Sequence, residues 1–524
     1  MIPSRQRVFI SVFASVVLLI NVRLTADQPR QLFWGDIHNH NAVGYGKGSL
    51  QRSYEIAESH LDFFAFTAHG HWHDMPIMPE NKHEKWVNGF AATREHWDEV
   101  RRMAKERYKP GRFVPFVAYE WHSSRFGDQC LIYPSDVDAP LEYFDHISKV
   151  QAFAKEKGAL LIPHHPAYRW QWRGTAFEFL DTDVSPVVEI FSEHGLAEHD
   201  RGPFDYVRHS NGGRWTPRTL RALLARGAHV GVVASTDNHS GYPGAYREGL
   251  VGLYANELTR EGVFEALRAR RSFAVTGDRI ALDFRVNGHW MGDILPETPN
   301  RQVTITASGW DEIASIELVK NGRVVARAFP TDADVHSPPW SSPVLCRVEF
   351  GWGPWGDLAM TRICDWDFEL EIIGGRIVEA QGCFRAGPFD EDRRNRVEKL
   401  SEKSYRVRSY TSRKEPLGDL VNNSVVLKIE GGPQAVLKCT MTRPVAMKIE
   451  KSLKDLSSEN TLEFTGPFTS ESMVFQRLVF APHYTGRLEF SDGPDEGAKE
   501  DWYYARIVQA NGDLAISSPI WVRN

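Results

Sequence analysis

The chain has no C-x-x-C pair and no low-complexity tract, and beyond its first residues no apolar run is long enough to cross a bilayer. Its five cysteines, Cys130, Cys346, Cys364, Cys383 and Cys439, are widely spaced, which excludes a zinc ribbon or a dithiol redox motif. Cys346–Cys364 and Cys364–Cys383 are the nearest pairs for a disulfide, and the odd total leaves one thiol over unless a partner chain supplies another. A net positive charge is also lacking. A net charge of −6 argues against nucleic acid as a bulk partner, since that needs a basic surface. It leaves small anionic substrates open, because a metal site brings its own local positive charge. At 524 residues, more than one domain is expected.

At the start, Arg5 and Arg7 precede an apolar run from Val8 to Val22, followed by Leu24-Thr25-Ala26. Ser11, Ser15 and Asn21 interrupt the run, which falls short of the ~20 apolar residues of a membrane span. Residues 1–26 therefore read as a cleaved export signal, with an uncleaved membrane anchor as the competing reading. The mature protein is expected outside the cytoplasm, periplasmic or extracellular, with no stable membrane insertion.

Between residues 31 and 240 one pattern recurs. Short apolar runs end abruptly in His, Asp or Glu, and helix-like stretches follow. Gln31–Asp36 leads to His38-Asn39-His40, Leu61–Thr67 to Ala68-His69, and Phe113–Tyr119 to Glu120. Ala159–Pro163 leads to His164-His165, Val187–Phe191 to Glu193-His194, and His229–Ala234 to Asp237-Asn238-His239. Near-continuous apolar runs alternating with helices predict parallel βα units. Polar residues at the C-terminal ends of such strands fall where a β/α barrel places its active site. After about Ile280 alternating runs and Asn-Gly turns take over, so residues 281–524 are expected to be β-rich and sandwich-like. The stretches Thr331–Trp355 and Asp390–Lys414 read as loops.

An H-x-H at a strand end sets two imidazoles on one side of an extended chain, a spacing that can chelate one cation. Asp237-x-His239 is the same device with a carboxylate. His69, Glu120 and His164 or His165 hold the corresponding places on other units. Together they predict a site for divalent metal (Zn, Mn or Fe). His122, Glu193 and His194 are candidates for supporting places at the same rim, while Arg169, Arg173, Arg247 and Arg279 are cations in loops or turns that could steady a substrate anion.

Residues 31–280 resemble the PHP (polymerase and histidinol phosphatase) superfamily. The likeness rests on His38-Asn39-His40, Thr67-Ala68-His69, Glu120, His164 or His165, and Asp237-Asn238-His239. Trp34-Gly35-Asp36-Ile37-His38, Ser272–Arg279 and the ending from Asp501 to Val522 look like a secreted branch of unknown function. The resemblance implies a distorted (β/α)7 barrel over residues 27–280 and two or three metals. His38, His40, Glu120 and Asp237 would hold one metal, and His69 and His239 would belong to a second. Glu120 would bridge to a third, held with His164 or His165. Ala68 replaces the family's Asp, and no further histidine follows His40 before Leu50, so fewer metals stay open. The expected activity is hydrolysis of a phosphoester, on a small-molecule or polymer-derived substrate, with Glu120 as bridge and Asp237 as candidate base. Attack on an amide or another ester, or non-catalytic binding of a glycan or surface polymer, stands as the alternative.

Overall fold

In the computed structural model of the protein, Gln31–Asp36 (β1) is the first strand, and the structure describes residues 30–206, 213–332, 339–352, 362–412 and 422–524. Leu50–His60 (α1) follows, started by the Ser49 side chain accepting from the Arg52 backbone N–H, with Leu50, Tyr54, Ile56 and Ala57 buried on one face. Phe63–Trp72 (β2) is buried along its whole length. Helices Lys82–Glu95 (α2) and Trp97–Glu106 (α3) lead to Val114–His122 (β3), which is also wholly buried. Then come Gln129–Ile132 (β4), Ile147–Lys157 (α4) and Leu160–Pro163 (β5). Val187–Ser192 (β6), Gly195–Leu196 (β7), Leu220–Leu224 (α5), Gly231–Ala234 (β8), Leu250–Ala255 (β9), Arg260–Arg268 (α6) and Ser272–Val275 (β10) complete this half.

The predicted (β/α)7 barrel is not what forms. The structure is β-rich, 42% strand and 17% helix, and its sheets are open. Among the described residues of this half, parallel pairing between strands is limited to β1–β2–β3 and to β6–β8, with one isolated parallel bridge from Asn39 to Asn238. β4 and β5 join antiparallel at one end, and β9 and β10 join antiparallel at the other. The reason lies in the connections. A parallel crossover needs a dozen or more residues, whereas β3 reaches β4 through the short segment 123–128. A run buried on both faces looks the same whichever way its neighbour points, so the sequence pattern identified strands without fixing their directions.

The main sheet then continues into the end of the chain. β10 pairs with Leu514–Ser517, which pairs with Glu500–Gln509, and that strand pairs with Ile520–Arg523. A buried polar knot sits where these segments meet. Asp278 accepts from Arg347, Gln381, Gln509 and Asn511, and Asp513 accepts from the Asp278 backbone N–H. Two further sheets lie in the second half, one of them built around the long strands Ile363–Cys383 and Asn423–Arg443. The Asn287-Gly288 and Asn321-Gly322 turns both have positive φ, as tight hairpins require. Both stretches read as loops contain strands, Val344–Trp352 in one, and Arg396–Lys399 and Ser404–Ser412 in the other. All five cysteines are free and buried. The export signal read at residues 1–26 lies outside the described residues. Among those described, no helix is long and apolar enough to cross a membrane.

Candidate metal centre

The ends of β1, β2 and β3 and the segment after β8 converge. Main-chain bonds tie the H-x-H segment to the D-x-H segment: Asp237 N–H donates to the His38 carbonyl at 2.8 Å, and His40 N–H to the Asn238 carbonyl at 2.9 Å. Between β2 and β3 the register shifts across Gly70, so that His69 sits opposite Glu120 and His71 opposite Trp121. The bulge separates the two histidines. His69 reaches the cluster, whereas His71 turns to Phe144 and stacks on Tyr143.

His38 Nε2 lies 3.2 Å from His40 Nε2, and both face Asp237 Oδ1, at 3.3 and 3.0 Å. Glu120 Oε2 is 3.5 Å from His40 Nε2, 3.7 Å from His69 Nε2 and 3.3 Å from His122 Nε2. Its other oxygen lies 2.5 Å from His164 Nε2. The His239 ring packs on His40 at 4.4 Å and turns Nδ1 to Glu193 and to the Asp237 carbonyl. Several groupings bring candidate ligand atoms within 4.8 Å of one another, among them His38, His40 and Glu120; His40, His69 and His239; His69, Glu120 and His122; and Glu120, Asp128, His164 and His165.

These side chains are almost completely buried apart from His239, which is partly exposed. Burial and neighbouring imidazoles hold His40, His69 and His164 well below the usual histidine range, so they stay neutral, the form in which imidazole binds metal. Burial works against a charge on His38 too, but Asp237, Cys130 and Glu189 outweigh it and favour positive charge there. Burial, reinforced by Asp128 and Asp237 against the pull of His38, pushes the Glu120 carboxyl well up. At Asp237 the His38, His194 and His40 rings overcome burial and hold the carboxyl well below its ordinary range. Buried nitrogens are rarely left without a partner, yet Nδ1 of His40, of His69 and of His164 each lacks a hydrogen bond. A set of neutral imidazoles and carboxylates facing one space suits a divalent cation that takes N and O ligands.

A second layer fixes this set. Glu189 sets both carboxylate oxygens against His38 Nδ1, at 3.1 and 3.3 Å, and burial pushes its carboxyl up to about 7. Asp128 holds His122 Nδ1 at 3.0 Å and Arg173 Nε at 2.7 Å, and lies 3.4 Å from His165 Nε2. His194 Nε2 lies 2.7 Å from Asp237 Oδ2, and its other nitrogen meets the Tyr168 hydroxyl. Asp237 and His165 have φ of 54° and 31°, a left-handed backbone that non-glycine residues rarely adopt and that collects at functional sites.

His38, His40, His69, Glu120, His164, Asp237 and His239 thus meet, with His165, His122, Glu193 and His194 around them. Arg279 does not join them. Its guanidinium donates to the His60 carbonyl and lines a separate cavity with Glu379 and Gln381. Arg247 is bound to Asp513 and the Asn511 carbonyl. Three neighbours escaped the sequence reading. Glu189 left a trace, a lone acid within the apolar run Val187–Ser192. Cys130, opposite Glu120 on β4, and Asp128 left none.

Above the cluster a cavity of about 770 Å³ opens, lined among others by Glu120, Asp237, His69, His194 and His239.

Residues 245–295 match the family described as Protein of unknown function (DUF3604). That stretch holds β9, α6 and β10 but none of the clustered side chains. An uncharacterized protein of Chlamydia pneumoniae is 34% identical over 351 residues, covering 62% of this chain and 52% of its own length. One from Chlamydia trachomatis is 24% identical over 59% of this chain and 51% of its own length. The chain spans about half the length of these two relatives. A Bacteroides vulgatus crystal structure, described as a two-domain protein containing a predicted PHP-like metal-dependent phosphoesterase, is 12% identical. It covers 81% of this chain and 95% of its own, with a TM-score of 0.29.

Proposed function

We propose that the protein is a metal-dependent hydrolase and that its substrates are phosphate esters. The observation that carries this reading is the meeting of His38, His40, His69, Glu120, His164, Asp237 and His239 beneath an open cavity. His38, His40, Glu120 and Asp237 would hold one cation, His69 and His239 a second, and Glu120 with His164 and His165 a third. When bound, such cations supply Lewis acidity and lower the pKa of a bound water towards ~7.

The chain's own residues do the rest. Glu120 reaches His40, His69 and His164 at once, so it can tie neighbouring cation positions together. Glu189 orients His38, and Asp128 orients His122. His194 lines the cavity between Asp237 and the Tyr168 hydroxyl, where it can pass a proton to a leaving oxygen. Arg173, anchored by Asp128, keeps positive charge at the wall where an anionic ester would enter.

The test is a screen of phosphomonoesters, phosphodiesters, sulfate esters, carboxylate esters and amides with metal-loaded protein. Hydrolysis of phosphate esters that chelation abolishes and Mn²⁺ or Zn²⁺ restores is the expected result. Turnover of carboxylate esters or amides alone would move the assignment to the alternative hydrolase reading. No turnover of any substrate by fully loaded protein would refute a hydrolase.

A further inference from the structure

The cavity wall beside the polar cluster is aromatic. Trp86 stacks on Tyr45 at 4.9 Å with 8° between the rings, and meets Trp72 edge-on at 5.4 Å. The same indole packs edge-to-face on His69 and His122, at 4.8 and 4.9 Å, so the aromatic wall runs directly into the candidate ligands. The Arg173 guanidinium lies over Trp72 at 5.0 Å and over Trp86 at 5.7 Å. The Trp72 ring nitrogen already donates to Ser124, so that ring turns no free donor to a ligand.

Trp172 also lines the cavity and is 58% exposed. Gln171 and Arg173 on either side of it have φ of 65° and 70°, so two left-handed residues hold this tryptophan at the rim. The loop after β2 brings Pro76, Met78 and Pro79 to the same mouth, and Ile77 between them is 95% exposed. Exposed apolar side chains gathered at one opening mark a binding surface. Among the polar side chains at the wall, Asp74 is already engaged, accepting from Ser123, Ser124 and Arg125, while Lys82 and Gln171 line the mouth. A sugar needs directed hydrogen bonds as well as a stacking face, and this wall supplies mostly the face.

We propose that the cavity formed by Tyr45, Trp72, Trp86, Met78 and Trp172 binds the alcohol portion of the ester, and that this portion is flat and apolar, an aryl group rather than a sugar. This rests on the reading of the cluster as a phosphate-ester site. The phosphoryl group faces Glu120, Asp237 and His239, and the ring lies between Trp172 and the Trp86 wall.

Calorimetric binding of two non-hydrolysable probes, phenylphosphonate and methylphosphonate, to the metal-loaded protein tests the subsite apart from turnover. The expected result is phenylphosphonate binding tighter by roughly 10-fold, the scale of one added aromatic contact. In Trp172→Ala that ratio should fall at least about 3-fold, and Trp172→Phe should restore most of it. Equal affinities, or no binding of either probe, would overturn the aryl subsite. So would a ratio untouched by Trp172→Ala. Parallel turnover of phenyl phosphate, methyl phosphate and glucose 6-phosphate separates the two claims. Turnover of all three at matching kcat/KM refutes the subsite and keeps the hydrolase. A phenyl preference in binding with no turnover refutes the hydrolase and keeps the subsite.

Discussion

Replacing Glu189 by alanine should weaken metal binding without touching a candidate ligand. The Glu189 carboxylate lies 3.1 and 3.3 Å from His38 Nδ1, and both side chains are about 2% exposed or less. His38 Nε2 faces Asp237 and His40, so with a cation bound at Nε2 the remaining proton sits on Nδ1, which donates to Glu189. Without that acceptor a buried N–H is stranded, at a cost of about 1–3 kcal/mol, or else the ring turns away from the cluster. Either outcome is paid in metal affinity, by about 10–100-fold, the range found when such outer partners are removed. Glu189→Gln keeps a carbonyl acceptor in place and should lose less. Competition with a chelator of known affinity, read by elemental analysis after dialysis, measures both variants against the wild type. Melting of the metal-free proteins controls for folding, since Glu189 lies inside β6. An alanine variant with wild-type metal affinity and a wild-type melt would refute the positioning role.

Other perturbations probe the scaffold. A Cβ at Gly35 would lie 2.3 Å from the Phe63 ring, so Gly35→Ala should destabilise by about 1–3 kcal/mol, read as a lower urea midpoint. Burial, aided by Arg279, lowers the His60 imidazole to about 3 in the folded chain. Below its unfolded value of 6.5 only the unfolded state takes up the proton, so stability is lost as pH falls from 6.5 towards 3. His60→Gln should flatten that part of a melting-temperature profile between pH 7 and 5, and an unchanged slope would remove His60 as its source. Arg347 reaches Asp278 in the buried knot, so Arg347→Met leaves a carboxylate without its cation and should destabilise by about 3–5 kcal/mol.

Much of the site was legible because its residues stand at the ends of apolar runs. β1 was bounded as Gln31–Asp36, and the runs read near Phe63, Val114, Leu160, Val187 and Gly231 all became strands. The position of His69 and Glu120 just past such runs was enough to place them on one rim. Strand direction was not legible, because buried apolar residues pack equally well against either kind of neighbour, and that is why a closed barrel was expected where open sheets form. β4 was missed for a related reason: Gln129–Ile132 is short and lies between loops. Asp128 and Cys130 reach the cluster only through the β3–β4 turn, a contact that no local pattern announces. Arg279 illustrates the opposite error. Its place in the Thr276–Arg279 turn made it a plausible anion contact, but the sheet formed with the end of the chain carries it to a separate cavity.

Metal stoichiometry across three proteins tests the centre most directly. Wild type, His40→Ala and Asp237→Ala would be loaded identically, dialysed and analysed for Zn, Mn and Fe, with circular dichroism confirming that each is folded. At least about one equivalent retained by the wild type, and little by either folded variant, is the predicted outcome. Retention of the same metal load by all three would contradict a shared ion among these imidazoles and carboxylates.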